Sequence, residues 1–416
     1  FSGSSKSLNT GANTAVTLAA NTGATINFSN GGLSITTTSG TGLNATGGGT
    51  VIVTGTANTI NSGTGTALNV ANTTIGASNL NFQSISANGG TNGIVLNSTG
   101  ASGGLTVTGT GAANSGGTIQ NTTGDAISAT NTRNLSLYWI LIQSPVGDGI
   151  NAMNLSGTCL LSNSTIQDFD ANRTATKDGY RIVNTGTTSL TLLTITGTTF
   201  NGTTSDMVNP GYNHGVFMEA QGSGNMTLSI EGSCVFTEMF GDAVQVSGIT
   251  GATSNVNVTI KNSNFTNAAV LGNGGISLTP FGSINLTAII DNNNLNDIMR
   301  PVTNLGAIGG TNGLTAIANI TIINNTLNNI VGSRGITFSA DGSGLSTLFI
   351  DNNNIDRLGS TTKYAIQVNM IGTPGGVSSP GKVTVTNNNI GQAVSYTHLR
   401  AHETKANLVC RLLLEK

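Results

Sequence analysis

Five ionisable side chains stand at equivalent places before short apolar segments, and their types suit acid–base chemistry. Asp125, Asp148, Asp178 and Asp242 each lie two residues before an apolar or aromatic residue, and His214 takes that place between the last two. If the segments stack as neighbouring strands, Asp178 and Asp242 lie two layers apart, about 9.5 Å. Two carboxylates at that distance reach the upper end of the range used in inverting glycoside hydrolysis. Asp178, His214 and Asp242 are therefore the candidate catalytic residues, with Arg181, Tyr212 and Glu219 nearby in the same segments.

A competing interpretation needs no chemistry. Gly-Asp-Gly before a strand is a turn signal, in which the aspartate accepts hydrogen bonds from backbone amides of its own coil. The residue that follows each apolar position, from Asn44 to Gln367, is once an arginine (Arg181) and never a carboxylate. We favour the turn interpretation, and we expect no enzyme activity, no cofactor and no bound metal.

Aromatic residues make up only 4% of the chain, and one of them is the single tryptophan. Tyr138 and Trp139 are adjacent, and rings of this kind combine a large apolar face with a polar atom. Together with Tyr212 they are candidate carbohydrate contacts. The alternative, which we favour for Tyr138 and Trp139, is that the pair fills a wide coil or a bend.

The elements that position these residues are short strands in a repeat of about 29 residues, a length typical of stacked-coil proteins. One apolar column has a member in nearly every repeat, with Val302 expected where the pattern weakens. Its members are Leu43, Leu68, Ile94, Ile127, Ile150, Tyr180, Val216, Val244, Ile276, Ile336 and Ile366. A second column consists of apolar pairs five residues apart, often with asparagine between them. These pairs are Leu137/Ile142, Leu161/Ile166, Ile195/Phe200, Ile230/Val235, Ile260/Phe265, Ile290/Leu295, Ile322/Leu327, Ile350/Ile355 and Val385/Ile390.

A short strand cannot bury one face alone, but stacked coils bury a continuous core. The strands alternate with period two, and Gly and Thr interrupt every stretch, which excludes helical repeats. Asparagines at equivalent turns can stack as an amide ladder and tolerate left-handed backbone. The sequence therefore predicts an all-β fold, a single-stranded right-handed parallel β-helix of about 12 coils of about 29 residues.

The units I-x-N-N-N-[LI] and G-D-[GA]-[VI], which alternate over about residues 120–393, resemble the repeats of the pectin-lyase-like superfamily. That resemblance implies the right-handed β-helix, but the superfamily includes lyases, hydrolases, phage tailspikes and adhesins. Its polygalacturonases carry Asn-Thr-Asp, Asp-Asp, Gly-His-Gly and Arg-Ile-Lys elements, of which this chain offers only Asn213-His214-Gly215. The closest resemblance is to the surface passenger and adhesin type.

Composition divides the chain into three parts. Residues 1–120 are Thr/Gly/Asn-rich coils of looser pattern, and residues 121–393 are regular coils. Residues 394–416 continue neither column, and we interpret them as an artefact or frameshift, with a capping helix as the alternative. Because the chain begins with Phe1 and has no signal peptide, we interpret it as an internal fragment of a longer protein.

Low charge limits the classes of partner. Charged residues are 8% of the chain and the net charge is −2, so nothing favours nucleic acid, and no apolar run reaches membrane-spanning length. We expect a non-catalytic structural or adhesive segment of a large secreted or cell-surface bacterial protein, with carbohydrate or a cell surface as partner. A polysaccharide lyase or glycoside hydrolase is the first alternative, and a tailspike-like fibre is the second. The oligomeric state is left open.

Overall fold

A computed structural model describes residues 1–169, 177–202, 213–266, 274–298, 306–330, 334–356, 364–370 and 381–391. The predictions made for Tyr212, Val302 and the tail 394–416 lie outside these ranges. The chain divides into two compact units, Phe1–Val183 with Ser189–Thr203, and Asn184–Thr188 with Thr204–Lys416. Among the described residues, no helix has the length and apolar character needed to span a membrane.

All regular elements of the described residues are strands. Up to residue 201 they are β1 Lys6–Gly11, β2 Val16–Ala19, β3 Thr25–Phe28, β4 Leu33–Thr37, β5 Leu43–Thr46, β6 Thr50–Val53, β7 Thr59–Ser62, β8 Leu68–Ala71, β9 Thr74–Phe82, β10 Ser84–Asn88, β11 Ile94–Asn97, β12 Leu105–Val107, β13 Gly117–Gln120, β14 Ile127–Thr130, β15 Ser136–Tyr138, β16 Ile140–Gln143, β17 Ile150–Met153, β18 Gly157–Ser162, β19 Thr165–Gln167, β20 Tyr180–Asn184, β21 Leu190–Thr196 and β22 Thr199–Asn201.

The strands beyond residue 201 are β23 Val216–Ala220, β24 Met226–Glu231, β25 Val235–Thr237, β26 Val244–Gly248, β27 Asn255–Lys261, β28 Asn264–Thr266, β29 Ile276–Thr279, β30 Asn285–Asp291, β31 Asn294–Asn296, β32 Gly306–Asn312, β33 Ile317–Ile323, β34 Thr326–Asn328, β35 Arg334–Ala340, β36 Ser346–Asp351, β37 Asn354–Asp356, β38 Ile366–Met370, β39 Gly381–Thr386 and β40 Asn389–Ile390.

Within each unit every strand pairs in parallel with the third strand before and after it. This gives three sheets: sheet A contains β1, β4, β7 and so on, sheet B begins β2, β5, β8, and sheet C begins β3, β6, β9. Parallel pairing requires a crossover between partners, and here the crossover consists of the other two strands of the coil. The prediction of a right-handed parallel β-helix is confirmed.

The predicted inward ladder is the core of sheet B. In the first unit it runs in register from Leu43 to Tyr180, and in the second from Val216 to Ile366. Val16 pairs with Leu43 and adds a coil before the first one predicted. The expectation for Val302 is wrong, because Ile308 pairs with Ile276 and Ile336 and holds that place.

The second column lies on sheets C and A, with one correction. Val235 was expected to point inward, but Phe236 does so and stacks on Phe265 with ring centroids 4.9 Å apart. The preceding corner contains two left-handed residues, Gly232 and Ser233, whereas most of the other corners contain one. The extra residue shifts the strand by one position, which exchanges its inward and outward faces.

The predicted asparagine ladder lies at the corner between sheets C and A of the second unit. Asn293, Asn325, Asn353 and Asn388 form it, each passing a side-chain amide hydrogen bond of 2.9–3.0 Å to the next. The residue before each of them has positive φ, for example 57° at Asn324. Asparagine tolerates that conformation better than other residues with a Cβ, so in these four coils an asparagine at the left-handed position precedes the asparagine of the ladder.

Candidate functional site

The aspartates of the first unit bind backbone amides. Asp125 Oδ1 accepts a 2.9 Å hydrogen bond from the amide of Asp148, and Asp148 Oδ1 accepts a 2.7 Å bond from the amide of Asp178. Asn151 donates to the other Asp125 oxygen at 2.9 Å. The turn interpretation expected bonds within one coil, and this detail is wrong. The carboxylates reach the next coil, and for Asp125 the glycine at 147 leaves the room that a Cβ would take.

Burial dominates the electrostatics of Asp148. The pKa of this carboxyl is raised from 3.8 to about 7, mainly by burial and in addition by the neighbouring Asp178 carboxylate. Asp178 is itself buried, and its Oδ2 lies 4.0 Å from Nε of Arg181, which is partly exposed. The structure therefore brings together two buried carboxyl groups, on Asp148 and Asp178, and the partly exposed guanidinium of Arg181.

His214 and Asp242 belong to the second unit, and they stand at equivalent places before Val216 and Val244. Both are buried. Asp242 Oδ1 accepts a 2.8 Å hydrogen bond from the amide of Gly274 in the next coil. The His214 ring lies 5.3 Å from the ring of Phe217, centroid to centroid. Asp242 thus binds backbone as the first-unit aspartates do, whereas His214 packs against an aromatic side chain.

Of the three aromatic candidates, the structure describes Tyr138 and Trp139. Tyr138 ends β15, and Trp139 forms the corner between sheets C and A with a φ of 58°. At equivalent corners the chain places Asn163 or Gly197. Both aromatic side chains are partly exposed, and the Trp139 side chain packs over Gly109. The pair therefore lies at a bend between two sheets, and carbohydrate contact by it stays a prediction.

Mostly polar side chains, of which Ser247, Ser277, Thr337 and Gln367 are buried, lie on the outward side of sheet B in the second unit, and we call this array the outward B face. Its two columns follow the register of β23, β26, β29, β32, β35 and β38. Its members are Phe217, Glu219, Gln245, Ser247, Ser277, Thr279, Gly309, Thr311, Thr337, Ser339, Gln367 and Asn369.

Glu219 supplies the outward B face with a carboxylate that the sequence analysis mentioned only as nearby. Its oxygens accept hydrogen bonds from Ser247 Oγ, at 3.3 Å, and from the Gln221 side chain. Phe217 lies beside it on the same side of β23. The alternation of the strand was visible in the sequence. Inward Val216, Met218 and Ala220 leave Phe217 and Glu219 facing outward, and the sequence analysis used only the position of Phe217.

Two polar atoms at the other end of the outward B face are buried without a partner. Thr337 Oγ1 and Gln367 Oε1 lie in register on adjacent strands, and neither makes a hydrogen bond. Both side chains are at least nine-tenths buried. An unpaired buried polar atom costs about 1–3 kcal/mol, and such groups are unusual in native proteins unless a ligand, an ion or water satisfies them.

Asp242 does not pair with Glu219 in the register of the strands. Ser247 is the register partner of Glu219, and Asp242 lies five residues before Ser247, ahead of the strand, where its Oδ1 accepts a hydrogen bond from the amide of Gly274. Within the described ranges, no three His, Cys, Asp or Glu side chains are grouped so that they could hold a metal ion. The buried thiols of Cys159 and Cys234 donate hydrogen bonds to the backbone carbonyls of Ser156, at 3.6 Å, and Glu231, at 3.3 Å.

Comparison with known proteins gives two similar structures. No family model matches the chain, and no curated protein matches it. A catalytic domain of a GH87 α-1,3-glucanase in complex with nigerose is 13% identical with a TM-score of 0.32, and the match covers 96% of this chain and 64% of that domain. A point variant of the same domain gives the same identity and score over 85% and 63%. The chain thus spans less than two thirds of these domains.

One expectation is corrected. The chain was expected not to be an enzyme, whereas both similar structures are catalytic domains; at 13% identity and a TM-score of 0.32 they assign no activity to this chain. The composition and the first outward column of sheet B had supported that expectation. The second outward column contains a carboxylate at Glu219, so the physical reason for excluding an enzyme is withdrawn.

Proposed function

We propose that the chain is a polysaccharide-active β-helix protein, a glycoside hydrolase or a polysaccharide lyase, whose substrate lies across the outward B face. The observation that carries the proposal is the position of Glu219 on that face. Its carboxylate is held by Ser247 and Gln221, next to the half-buried ring of Phe217. Polar groups in register over successive coils suit an extended polymer better than a compact ligand.

The role assigned to Glu219 is proton transfer. Hydrolysis needs a group that protonates the leaving glycosidic oxygen, and elimination needs a group that moves a proton at the sugar ring. Ser247 and Gln221 fix the orientation of the carboxylate. Phe217 offers an apolar surface on which a sugar ring can lie. Because polysaccharides do not cross membranes, we also propose that the protein is secreted or displayed on the cell surface.

The test is a screen for turnover with matched variants. An α-1,3-glucan, a β-glucan, pectin and alginate are incubated with the protein, and both new reducing ends and the absorbance of unsaturated products are measured. Hydrolysis raises only the first signal, whereas elimination raises both. Glu219→Gln should lower the rate about 10²–10⁴-fold, the usual contribution of general acid–base catalysis.

Glu231→Gln is the control, because Glu231 ends a strand of sheet C in the same unit and pairs with Lys261 at 3.1 Å on the surface. It should leave the rate unchanged. Phe217→Ala should weaken substrate binding more than it lowers the maximal rate. If Glu219→Gln retains full turnover, or if none of the polymers is degraded, the proposal is wrong.

A further inference from the structure

A shallow groove of about 440 Å³ lies on the outward side of sheet A in the second unit, apart from the sheet that carries Glu219. We call it the amide groove. It is lined by Asn294, Asn296, Thr326, Asn328, Asn354 and Asp356.

The lining residues form a regular array. Asn294, Thr326 and Asn354 are in register on β31, β34 and β37, and so are Asn296, Asn328 and Asp356. Neighbouring coils are about 4.8 Å apart, and the two columns are about 6.7 Å apart. The residues between the columns, Leu295, Leu327 and Ile355, are fully buried, so the array stands on a packed core.

The first column continues beyond the groove on both sides. Asn264 pairs with Asn294, and Asn389 pairs with Asn354, so five coils present an amide or a hydroxyl at the same place. On the coil spacing, this row is about 19 Å long. It is exposed along its length. A ligand that used the whole row would be a linear polymer running across the coils.

The side chains of the groove are already oriented. Asn328 Nδ2 donates to Asn296 Oδ1 at 3.0 Å, Asn296 Nδ2 donates to Asp297 at 2.7 Å, and Asn389 Nδ2 donates to Asn354 Oδ1 at 2.8 Å. Each amide has two donors and an acceptor oxygen with two lone pairs. The bonds within the groove use only part of that capacity, so donors and acceptors remain for a ligand. Because the bonds already orient the side chains, ligand binding would cost little side-chain entropy.

The chemistry of the lining selects the class of ligand. Amides and a hydroxyl donate and accept hydrogen bonds, as sugar hydroxyls do. Among the residues that the structure describes, no lysine or arginine lines the groove, and Asp356 contributes negative charge at one end. The groove therefore disfavours polyanions such as pectate. We propose that the amide groove is a second binding surface, which holds a neutral polysaccharide chain across the coils of the second unit.

The test measures binding separately from turnover. Dextran and a soluble β-glucan serve as neutral probes and polygalacturonate as the anionic probe, with affinity measured by calorimetry and by retardation in polysaccharide-containing gels. Asn296→Ala with Asn328→Ala removes both partners of one hydrogen bond, so neither is left unpaired. We expect at least tenfold weaker binding of a neutral probe. Thr326→Val, which keeps the side-chain shape, should weaken binding by a smaller factor.

The control carries the same chemistry on another sheet. Asn257 and Asn319 are exposed on the outward side of sheet C. Asn257→Ala with Asn319→Ala should leave affinity unchanged, and thermal unfolding checks that each variant is folded. The inference is overturned if the groove variant binds neutral probes like the parent, if no neutral probe binds the parent, or if polygalacturonate binds more tightly. The proposed function is tested independently, since Glu219→Gln should abolish turnover and leave this binding intact.

Discussion

Replacing Asn325 by alanine should destabilise the second unit far more than replacing its exposed neighbour. Asn325 is 1% exposed. Its Nδ2 donates to the carbonyl oxygens of Ile290 and Ile323, both at 2.9 Å, and to Asn353 Oδ1 at 3.0 Å. Its Oδ1 accepts from the backbone and side-chain nitrogens of Asn293, both at 3.0 Å.

The magnitude follows from these bonds. A hydrogen bond contributes about 1 kcal/mol net, and a buried donor left unpaired costs about 1–3 kcal/mol. Alanine at 325 removes the bonds and leaves the buried amide of Asn293 unpaired. We therefore expect the free energy of unfolding to fall by about 3–5 kcal/mol.

Asn324→Gly is the matched control. Asn324 has a φ of 57° and exposed side-chain hydrogen bonds to neighbouring coils. Glycine adopts this conformation without strain, so we expect a change of under about 1 kcal/mol. Urea unfolding followed by far-ultraviolet circular dichroism gives both values. Equal effects of the two substitutions would refute the conclusion that the inner ladder, and not the left-handed corner, stabilises these coils.

Three further predictions concern the first unit and the corrected register. Because the pKa of Asp148 is raised from 3.8 to about 7, the stability that its protonated form contributes is complete below pH 3.8 and lost as the pH rises through 7. Between pH 5 and 8 the melting temperature should therefore fall more for the parent than for Asp148→Asn. Phe236→Ala should lower the free energy of unfolding, measured in urea, by about 3–5 kcal/mol, and Val235→Ala should lower it by less than about 1 kcal/mol. The reverse order would show that Val235, as the sequence predicted, is the inward residue. The fluorescence emission of Trp139, the single tryptophan, should not change when a neutral glucan saturates the protein. Trp139 belongs to the first unit, whereas both proposed glycan surfaces belong to the second. Quenching of this fluorescence would indicate that Trp139 contacts carbohydrate.

The fold could be predicted because the same physical requirement recurs in each coil. Every coil buries an apolar residue at the position of Leu43 or Ile94, and asparagine marks corners that need left-handed backbone. The register failed where one coil differs in length. The second left-handed residue at Ser233 moves Phe236 inward, and the pattern of apolar residues alone fits Val235 equally well.

The candidate site was harder to predict, because function depends on outward positions that follow no repeat. Asp178 and Asp242 have the residue types of a catalytic pair, yet both are buried in turns before their strands. Asp242 also accepts a hydrogen bond from a backbone amide. Glu219 looked like one surface carboxylate among several, until the register placed it beside Ser247. The amide groove depends on register over three coils, which local spacing does not give when coil lengths vary.

The most direct test of the central claim is a crystal structure of the Glu219→Gln variant with an oligosaccharide cut from whichever polymer the parent degrades. We predict that the sugar lies over Phe217 on the outward B face, with a glycosidic or ring oxygen about 2.6–3.2 Å from the side-chain amide at 219. An oligosaccharide bound elsewhere, with residue 219 out of hydrogen-bonding reach, would contradict the account.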